Sequence, residues 1–258
     1  MCHDPVCPAA IAMSTTTLNR ACRADLRAAP DPCARCDARP SSVCNAIPDA
    51  DLVRLAAATT VMDISAGTTF IEEGEPAVAF FNITRGTARL FKLLPDGRRQ
   101  ITGFAHVGHF LGLAVSTTFA FSAEAIEPVR LCRFSRPRLR ALLDDFPAME
   151  KRLLEVAGNE LVAAQEQMLL LGRKTARERL ASFLVTQARQ AGLRAPTGGR
   201  FPVPMTRGDI ADYLGLTIET VSRTLTRFRT EGLIDIPSPS ELIIRDPDAL
   251  ESLADGLA

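Results

Sequence analysis

The 258-residue chain has no tryptophan, one tyrosine and three histidines, and its 30 lysines and arginines balance its 30 aspartates and glutamates. No apolar run approaches the roughly 18 residues of a membrane span, so no membrane partner is expected. The first thirteen residues lack the basic, apolar and small-residue succession of a secretory signal, which makes a reducing cytoplasm the expected compartment. Seven cysteines is an odd number and further weakens a disulfide framework. Zero net charge argues against a uniformly basic nucleic-acid coat but leaves room for a local basic recognition element. The chain also lacks a Gly-x-Gly-x-x-Gly opening a helix, a P-loop and a supported Ser/His/Asp set. An enzyme is therefore not expected, and an iron–sulfur electron carrier loses support for the same reason.

What is present suits a packed protein: 47% of residues are hydrophobic and 23% charged. At roughly 100–200 residues per domain, two domains are expected. Cys2, Cys7, Cys22, Cys33, Cys36 and Cys44 crowd the first 44 residues, and Cys132 stands alone. Residues 1–45 show no apolar period, so this segment is expected to need an external staple, a metal being the obvious one. Met13, followed by Ser14 and a threonine run, is an alternative start that would remove Cys2, His3 and Cys7. Cys33-x2-Cys36-x7-Cys44 supplies three thiols, and Cys132 makes a fourth only if folding returns it. Four thiolates suit zinc or an iron–sulfur cluster equally well, and a bare Cys132 can also be a core residue. Cys22, beside Arg23 and near Asp25, reads as part of a solvated segment. His106 and His109, around Gly108, read as surface loop residues rather than ligands.

Between about 60 and 135 the pattern is of short β-rich runs: Thr68–Ile71, Ala79–Thr84, Ala88–Leu94, Gln100–Phe104 and Val129–Phe134. Glycine turns and the hairpin signal Pro95-Asp96-Gly97 separate them, which predicts a compact β barrel or roll. From Pro147 to Leu171 the period is helical. Leu154, Leu161 and Met168 share one heptad position and Ala157, Ala164 and Leu171 the position three residues on, an a/d seam that suits a parallel dimer helix. Gly172 is the expected hinge to a second amphipathic helix carrying Ala176, Leu180, Phe183, Leu184 and Ala188, and 192–200 reads as a surface loop.

Thr206-Arg207-Gly208-Asp209 has the capping-box form and opens a short helix with Ile210, Ala211 and Leu214 on one face. Gly215 ends it, and a second helix runs from about Ile218 to Glu231, anchored by Val221 and Leu225. This spacing predicts a helix-turn-helix. Glu219, Ser222 and Arg223 then share an exposed face where recognition helices meet base edges, although Glu219 and Arg223 can equally form a surface ion pair. Thr226, Arg227 and Arg229 suit phosphates, with Thr206 and Thr217 at the helix starts. Ile234–Ile236 and Glu241–Arg245 flank Pro237-Ser238-Pro239-Ser240 as a wing hairpin.

The order of parts and several strings resemble the FNR branch of the CRP/FNR superfamily of transcription regulators. The strings are Gln100-Ile101-Thr102-Gly103-Phe104, Met168–Leu171, Ala176–Leu180, and Met205–Leu216 followed by Glu219-Thr220-Val221-Ser222-Arg223. The resemblance covers nearly the whole chain from Cys33 onward, and it implies an α+β fold in four parts. A cysteine-rich segment (1–45) precedes a double-stranded β-helix or jelly-roll sensor domain of cyclic-nucleotide-binding type (46–146). A dimerisation helix (147–171) and a winged helix-turn-helix (172–258) follow. It further implies an oxygen-responsive activator of anaerobic genes, with Cys33, Cys36, Cys44 and Cys132 holding a [4Fe–4S] cluster. The expected partners are a second copy, RNA polymerase, through loops such as Thr117–Ser122, and a TTGAT-N4-ATCAA-like DNA palindrome. Two departures set it apart from the cyclic-AMP receptors. Phe110-Leu111-Gly112-Leu113 and Phe121-Ser122-Ala123 lack the glutamate and arginine that grip a cyclic phosphate, so no cyclic nucleotide is expected. Ile218 also replaces the arginine before the recognition glutamate.

Overall fold

In a computed structural model, residues 32–113, 117–192 and 199–257 are described; Cys2, Cys7, Met13 and Cys22 lie outside them. The β-rich region forms eight strands: β1 (Thr59–Ile64), β2 (Thr69–Ile71), β3 (Ala79–Arg85), β4 (Ala88–Leu93), β5 (Arg99–Ala105), β6 (Phe110–Leu111), β7 (Ser122–Ala125) and β8 (Val129–Ser135). They make two four-stranded antiparallel sheets, ordered β1-β8-β3-β6 and β2-β7-β4-β5. Alternate residues point inward, and Ile71, Phe81, Ile83, Phe119 and Leu131 fill the space between the sheets against Ala88, Ala123 and Ala125. The result is the expected jelly roll.

The segment before the roll behaves differently from its composition. Three 3₁₀ turns (Arg39–Ser41, Val43–Ala46 and Asp49–Asp51) lead into helix α1 (Leu52–Ala58). Val43, Cys44 and Ile47 are buried with Leu52, Leu55 and Phe134, and with residues of the next two helices, α2 (Arg136–Asp145) and α3 (Pro147–Arg173). The expectation that 1–45 needs a staple to join a core is thus corrected for its last residues. They are too few to show a period, yet they dock on a surface made elsewhere in the chain.

Proline at its first turn opens α3, whose 27 residues span about 40 Å at 1.5 Å per residue. Gly172 lies inside this helix, so the expected hinge there is wrong. The chain breaks at Lys174, in extended backbone, because Thr175 begins a new helix, α4 (Ala176–Gln190). Thr175 Oγ1 accepts from the Glu178 amide, while the Glu178 carboxylate accepts from the Thr175 amide at 2.9 Å. That reciprocal cap outweighs the weak helix-breaking tendency of one glycine.

One side of α3 is buried through Met149, Leu153 and Leu170; Leu154, Leu161 and Met168 are 70%, 61% and 65% exposed, and Ala157 and Ala164 are exposed between them. Leu171 departs from this stripe. It packs half-buried against the C-terminal core with its methyl beside Gly215, so the open seam ends at Met168.

The C-terminal part comprises β9 (Arg200–Pro202), α5 (Arg207–Leu214), α6 (Ile218–Thr230), the hairpin β10 (Ile234–Ser238) and β11 (Glu241–Ile244), and α7 (Pro247–Ala254). Its sheet is ordered β10-β11-β9, the wing of a winged helix-turn-helix. Leu180, Phe183, Leu184, Ile210, Leu214, Val221, Leu225 and Phe228 form its core. Among the described residues no helix is long and apolar enough to cross a membrane.

Candidate cysteine centre and nucleic-acid interface

Sheet register brings Cys132 back to the N-terminal segment. β8 lies between β1 and β3, and Cys132 is paired with Val61 on one side and Asn82 on the other. Across from it, the 3₁₀ turn at Val43–Ala46 is capped by Ser42, whose hydroxyl accepts from the Cys44 amide at 3.2 Å. The Cys36 amide donates to the Cys33 carbonyl at 3.4 Å, folding that pair into a tight turn. Cys33, Cys36, Cys44 and Cys132 consequently line one recess, together with Arg39, Leu55, Thr59, Asn82 and Phe134.

Burial pushes the Cys44 thiol up to about 11; the Ser42 hydrogen bond opposes this, and Cys132 and Cys36 reinforce it. Burial likewise raises Cys132 to about 11, with Cys36 adding to it. Both are therefore thiols at neutral pH, and a bound cation would favour their thiolate forms. Asn82 is 1% exposed and its Oδ1 is buried without a hydrogen-bond partner. Sequence reasoning missed this residue, whose burial depends on strand register.

An apolar, thiol-lined recess with an orphaned amide oxygen fits a thiolate-held group. Among the described residues no group of three or more Cys, His, Asp or Glu side chains is arranged to hold a metal ion.

The two loop histidines are half-buried rather than fully open to solvent. Their rings meet edge to face at 5.8 Å. Burial, then the neighbouring His109, lowers His106 to about 4, and burial also lowers His109.

The reading head is built from caps. Thr206 Oγ1 accepts from the Asp209 amide at 3.1 Å and donates to Asp209 Oδ2 at 2.7 Å. Gly215 closes α5 at φ 62°, a left-handed conformation that an L side chain adopts at a cost. Thr217 caps α6 by accepting from the Thr220 amide at 3.2 Å. Val221, Thr224, Leu225 and Phe228 then face inward.

Glu219, Ser222, Arg223, Thr226, Arg227 and Arg229 lie exposed on the outer side of α6. Backbone hydrogen bonding at the helix start, with Thr217 and Arg223, holds the Glu219 carboxyl below its ordinary range, so it is an acceptor at neutral pH. Arg223 leans on Thr220 Oγ1 at 3.5 Å and makes no ion pair with Glu219 among the described contacts. Both charges thus remain available to base edges. Arg227 is different: its Nε donates to Glu231 at 2.7 Å, and Glu231 also takes Arg177 at 2.7 Å. Thr226 donates to the Ser222 carbonyl at 3.0 Å. Of the residues expected at phosphates, Arg229 keeps the most open charge.

Comparison with known proteins agrees with this architecture. Residues 178–253 match the Crp-like helix-turn-helix domain and residues 61–146 the cyclic nucleotide-binding domain. The nitrogen fixation regulation protein FixK of Bradyrhizobium diazoefficiens is 40% identical over 222 residues, covering 86% of this chain and 93% of the relative. The transcriptional activatory protein AadR of Rhodopseudomonas palustris is 47% identical over 183 residues, covering 70% of this chain and 76% of the relative. Among solved structures, FixK2 from Bradyrhizobium japonicum aligns with a TM-score of 0.71 at 35% identity, covering 76% of this chain and 96% of that one. With its roll, long helix and capped reading head, this chain belongs to the CRP/FNR family of transcription regulators, DNA-binding proteins rather than enzymes.

Proposed function

We propose that this regulator responds to oxygen through a [4Fe–4S] cluster held by Cys33, Cys36, Cys44 and Cys132, and that it binds TTGAT-N4-ATCAA-like palindromes as a homodimer. The observation that carries the reading is the recess itself. Four thiols from opposite ends of the sensor region line one partly enclosed, apolar recess. The spacing of Cys33, Cys36 and Cys44 suits zinc or a cluster alike, and the family resemblance favours the cluster. The raised Cys44 and Cys132 weigh against a bare thiol switch at those two positions, since such a switch needs a ready thiolate.

When bound, such a cluster supplies an oxygen-labile link between the N-terminal turns and β8. The chain does the rest. Cys44 lies in the same packed cluster as Met149 and Leu153, at the start of α3, so the docking of residues 33–47 bears on that helix. Further along α3, Leu154, Ala157, Leu161, Ala164 and Met168 offer an open stripe to a second copy. Alanines keep that seam thin, and a bias of a few kcal/mol is enough to move a marginal dimer between states. In the dimer two copies of α6 meet successive major grooves. Glu219 can accept from cytosine N4 and Arg223 can donate to guanine O6 and N7. The space between the sheets is filled with apolar side chains, and Gly112-Leu113 and Phe121-Ser122-Ala123 bring no charge that would hold a cyclic phosphate.

Anaerobic purification tests the reading. A brown protein with iron and acid-labile sulfide, which bleaches in air as the dimer dissociates, is the expected result. A colourless protein containing zinc, or no metal, sinks it.

A further inference from the structure

The string Gln100–Phe104, singled out in the sequence, has no part in the cysteine recess or the DNA-facing surface. Its place is the boundary between the sensor roll and α5. Ile101 and Phe104 are buried in the C-terminal core together with Phe91 of β4, so one hydrophobic cluster crosses from roll to reading head. Phe104, Phe183 of α4 and Tyr213 of α5 form a ring triangle with centroids 5.2–6.1 Å apart.

The polar contacts grip α5 at both ends. At its start, Asp209 is 1% exposed; its Oδ2 serves the Thr206 cap and its Oδ1 accepts from Arg89 at 2.8 Å and Arg99 at 3.2 Å. Arg99 also reaches Asp212 at 2.8 Å, and Arg89 is braced by Glu124 at 2.5 Å. At its end, helical carbonyls have no partners within the helix. Here the last three, of Asp212, Tyr213 and Leu214, are each taken by a side chain from another element. Gln100 donates to Asp212 O at 2.7 Å, Gln167 of α3 to Tyr213 O at 3.0 Å, and Arg179 of α4 to Leu214 O at 2.9 Å.

We propose that Arg89, Arg99 and Gln100 are positioning residues for DNA recognition: the sensor roll sets the orientation of α5, and with it α6, relative to the dimer helix. Two features support a holding role rather than a masking one. The grip falls on α5 and leaves Glu219, Ser222 and Arg223 exposed. It also ties roll, α3 and α4 to a single helix, which a two-site palindrome requires if both heads are to keep their spacing. The contact is intramolecular and involves none of the cysteines, so it stands whether or not a cluster is bound.

The test uses Arg99, which is 27% exposed and leaves Arg89 to compensate buried Asp209. Full-length Arg99→Met, Arg99→Lys, Asp212→Asn and the Arg99→Met/Asp212→Asn double variant are compared on two probes. One is a duplex selected by the unaltered protein from random sequence; the other is a random duplex. Arg99→Met is expected to lose at least about fivefold in affinity for the selected duplex, the low end of a typical site-to-site coupling, with random-duplex binding little changed. Arg99→Lys recovers most of the loss, and the double variant is no worse than the poorer single one. Tyr213 gives a readout without DNA: as the only tyrosine in a tryptophan-free chain, its fluorescence reports this boundary and should shift in Arg99→Met. Selected-duplex affinity unchanged or increased in Arg99→Met overturns the proposal. So does a loss equal on both probes, or full additivity in the double variant. A fluorescence shift without any change in selected-duplex binding shows that the grip is structural only, and also overturns it.

Discussion

At the cysteine recess the functional groups are buried or half-buried thiols, drawn from segments that only the folded sheets bring together. On α6 they are exposed, charged and contained in one helix whose ends are fixed by local caps. The recess therefore depends on tertiary packing for its geometry. The reading face depends on packing only through its inner side. Substitutions should separate accordingly: those at the recess alter what the protein holds, and those on the outer side of α6 alter what it reads.

Cys132→Ala and Cys44→Ala should show the largest effect. Each removes one of four thiols around the recess, and anaerobic iron and sulfide content should fall to a small fraction of that of the unaltered protein. Circular dichroism should remain that of a folded protein, since alanine is tolerated in an apolar wall. Equal iron content in either variant means that another group replaces the thiol, and the contrast between the two regions fails at its buried end.

His106 extends the contrast to pH. Its imidazole is buried beside His109, with Thr87 Oγ1 at 3.5 Å from Nδ1 and Gln190 nearby, while Glu160 acts on His109. With a folded value of about 4 against an ordinary 6.5, the unfolded chain takes up the proton first as pH falls. Stability is thus fully present above pH 6.5 and is lost progressively down to about pH 4, by on the order of 3 kcal/mol at about 1.4 kcal/mol per unit. Denaturant titrations of the protein and of His106→Gln between pH 7 and 4 check this. The variant should lose less stability on acidification, and identical slopes would falsify the assignment.

On the exposed side, Arg223→Ala should lower selective DNA affinity by roughly 1–3 kcal/mol and relax base preference, with thermal stability unchanged. Competition between selected and random duplexes distinguishes this from phosphate contact. An equal loss on both would make Arg223 a phosphate ligand.

The two regions also differ in how far they could be read in advance. Thr206-x-x-Asp209, Gly215 and the inward pair Val221 and Leu225 are local signals, and the helix-turn-helix follows from them directly. The spacing of Cys33, Cys36 and Cys44 is local too, but the return of Cys132 is a matter of sheet order. Asn82 becomes a buried recess residue only because β3 pairs with β8 in the register Asn82 to Cys132. Leu171 continues the heptad pattern yet packs beside Gly215, because the turn of α3 at that point faces the reading head instead of solvent. The end of α3 is legible in the sequence: Thr175-Ala176-Arg177-Glu178 is itself a capping box, a stronger boundary signal than Gly172. Strands as short as Phe110–Leu111 offer no alternation to detect.

The smallest expected effect decides what Thr217 does. Expected from the sequence beside the DNA-facing residues, it spends its hydroxyl on the Thr220 amide at 3.2 Å, as an N-cap does. If capping is its role, Thr217→Ala destabilises the protein by about 1 kcal/mol, in the range for loss of such a cap. Selected and random duplexes should then weaken together, slightly, as α6 frays at the end that carries Glu219. Thr217→Asn, which can also cap, should recover the stability. A Thr217→Ala protein of unchanged melting temperature that loses affinity for the selected duplex alone would make the hydroxyl a DNA contact, and would move this residue from the helix's own architecture to its reading face.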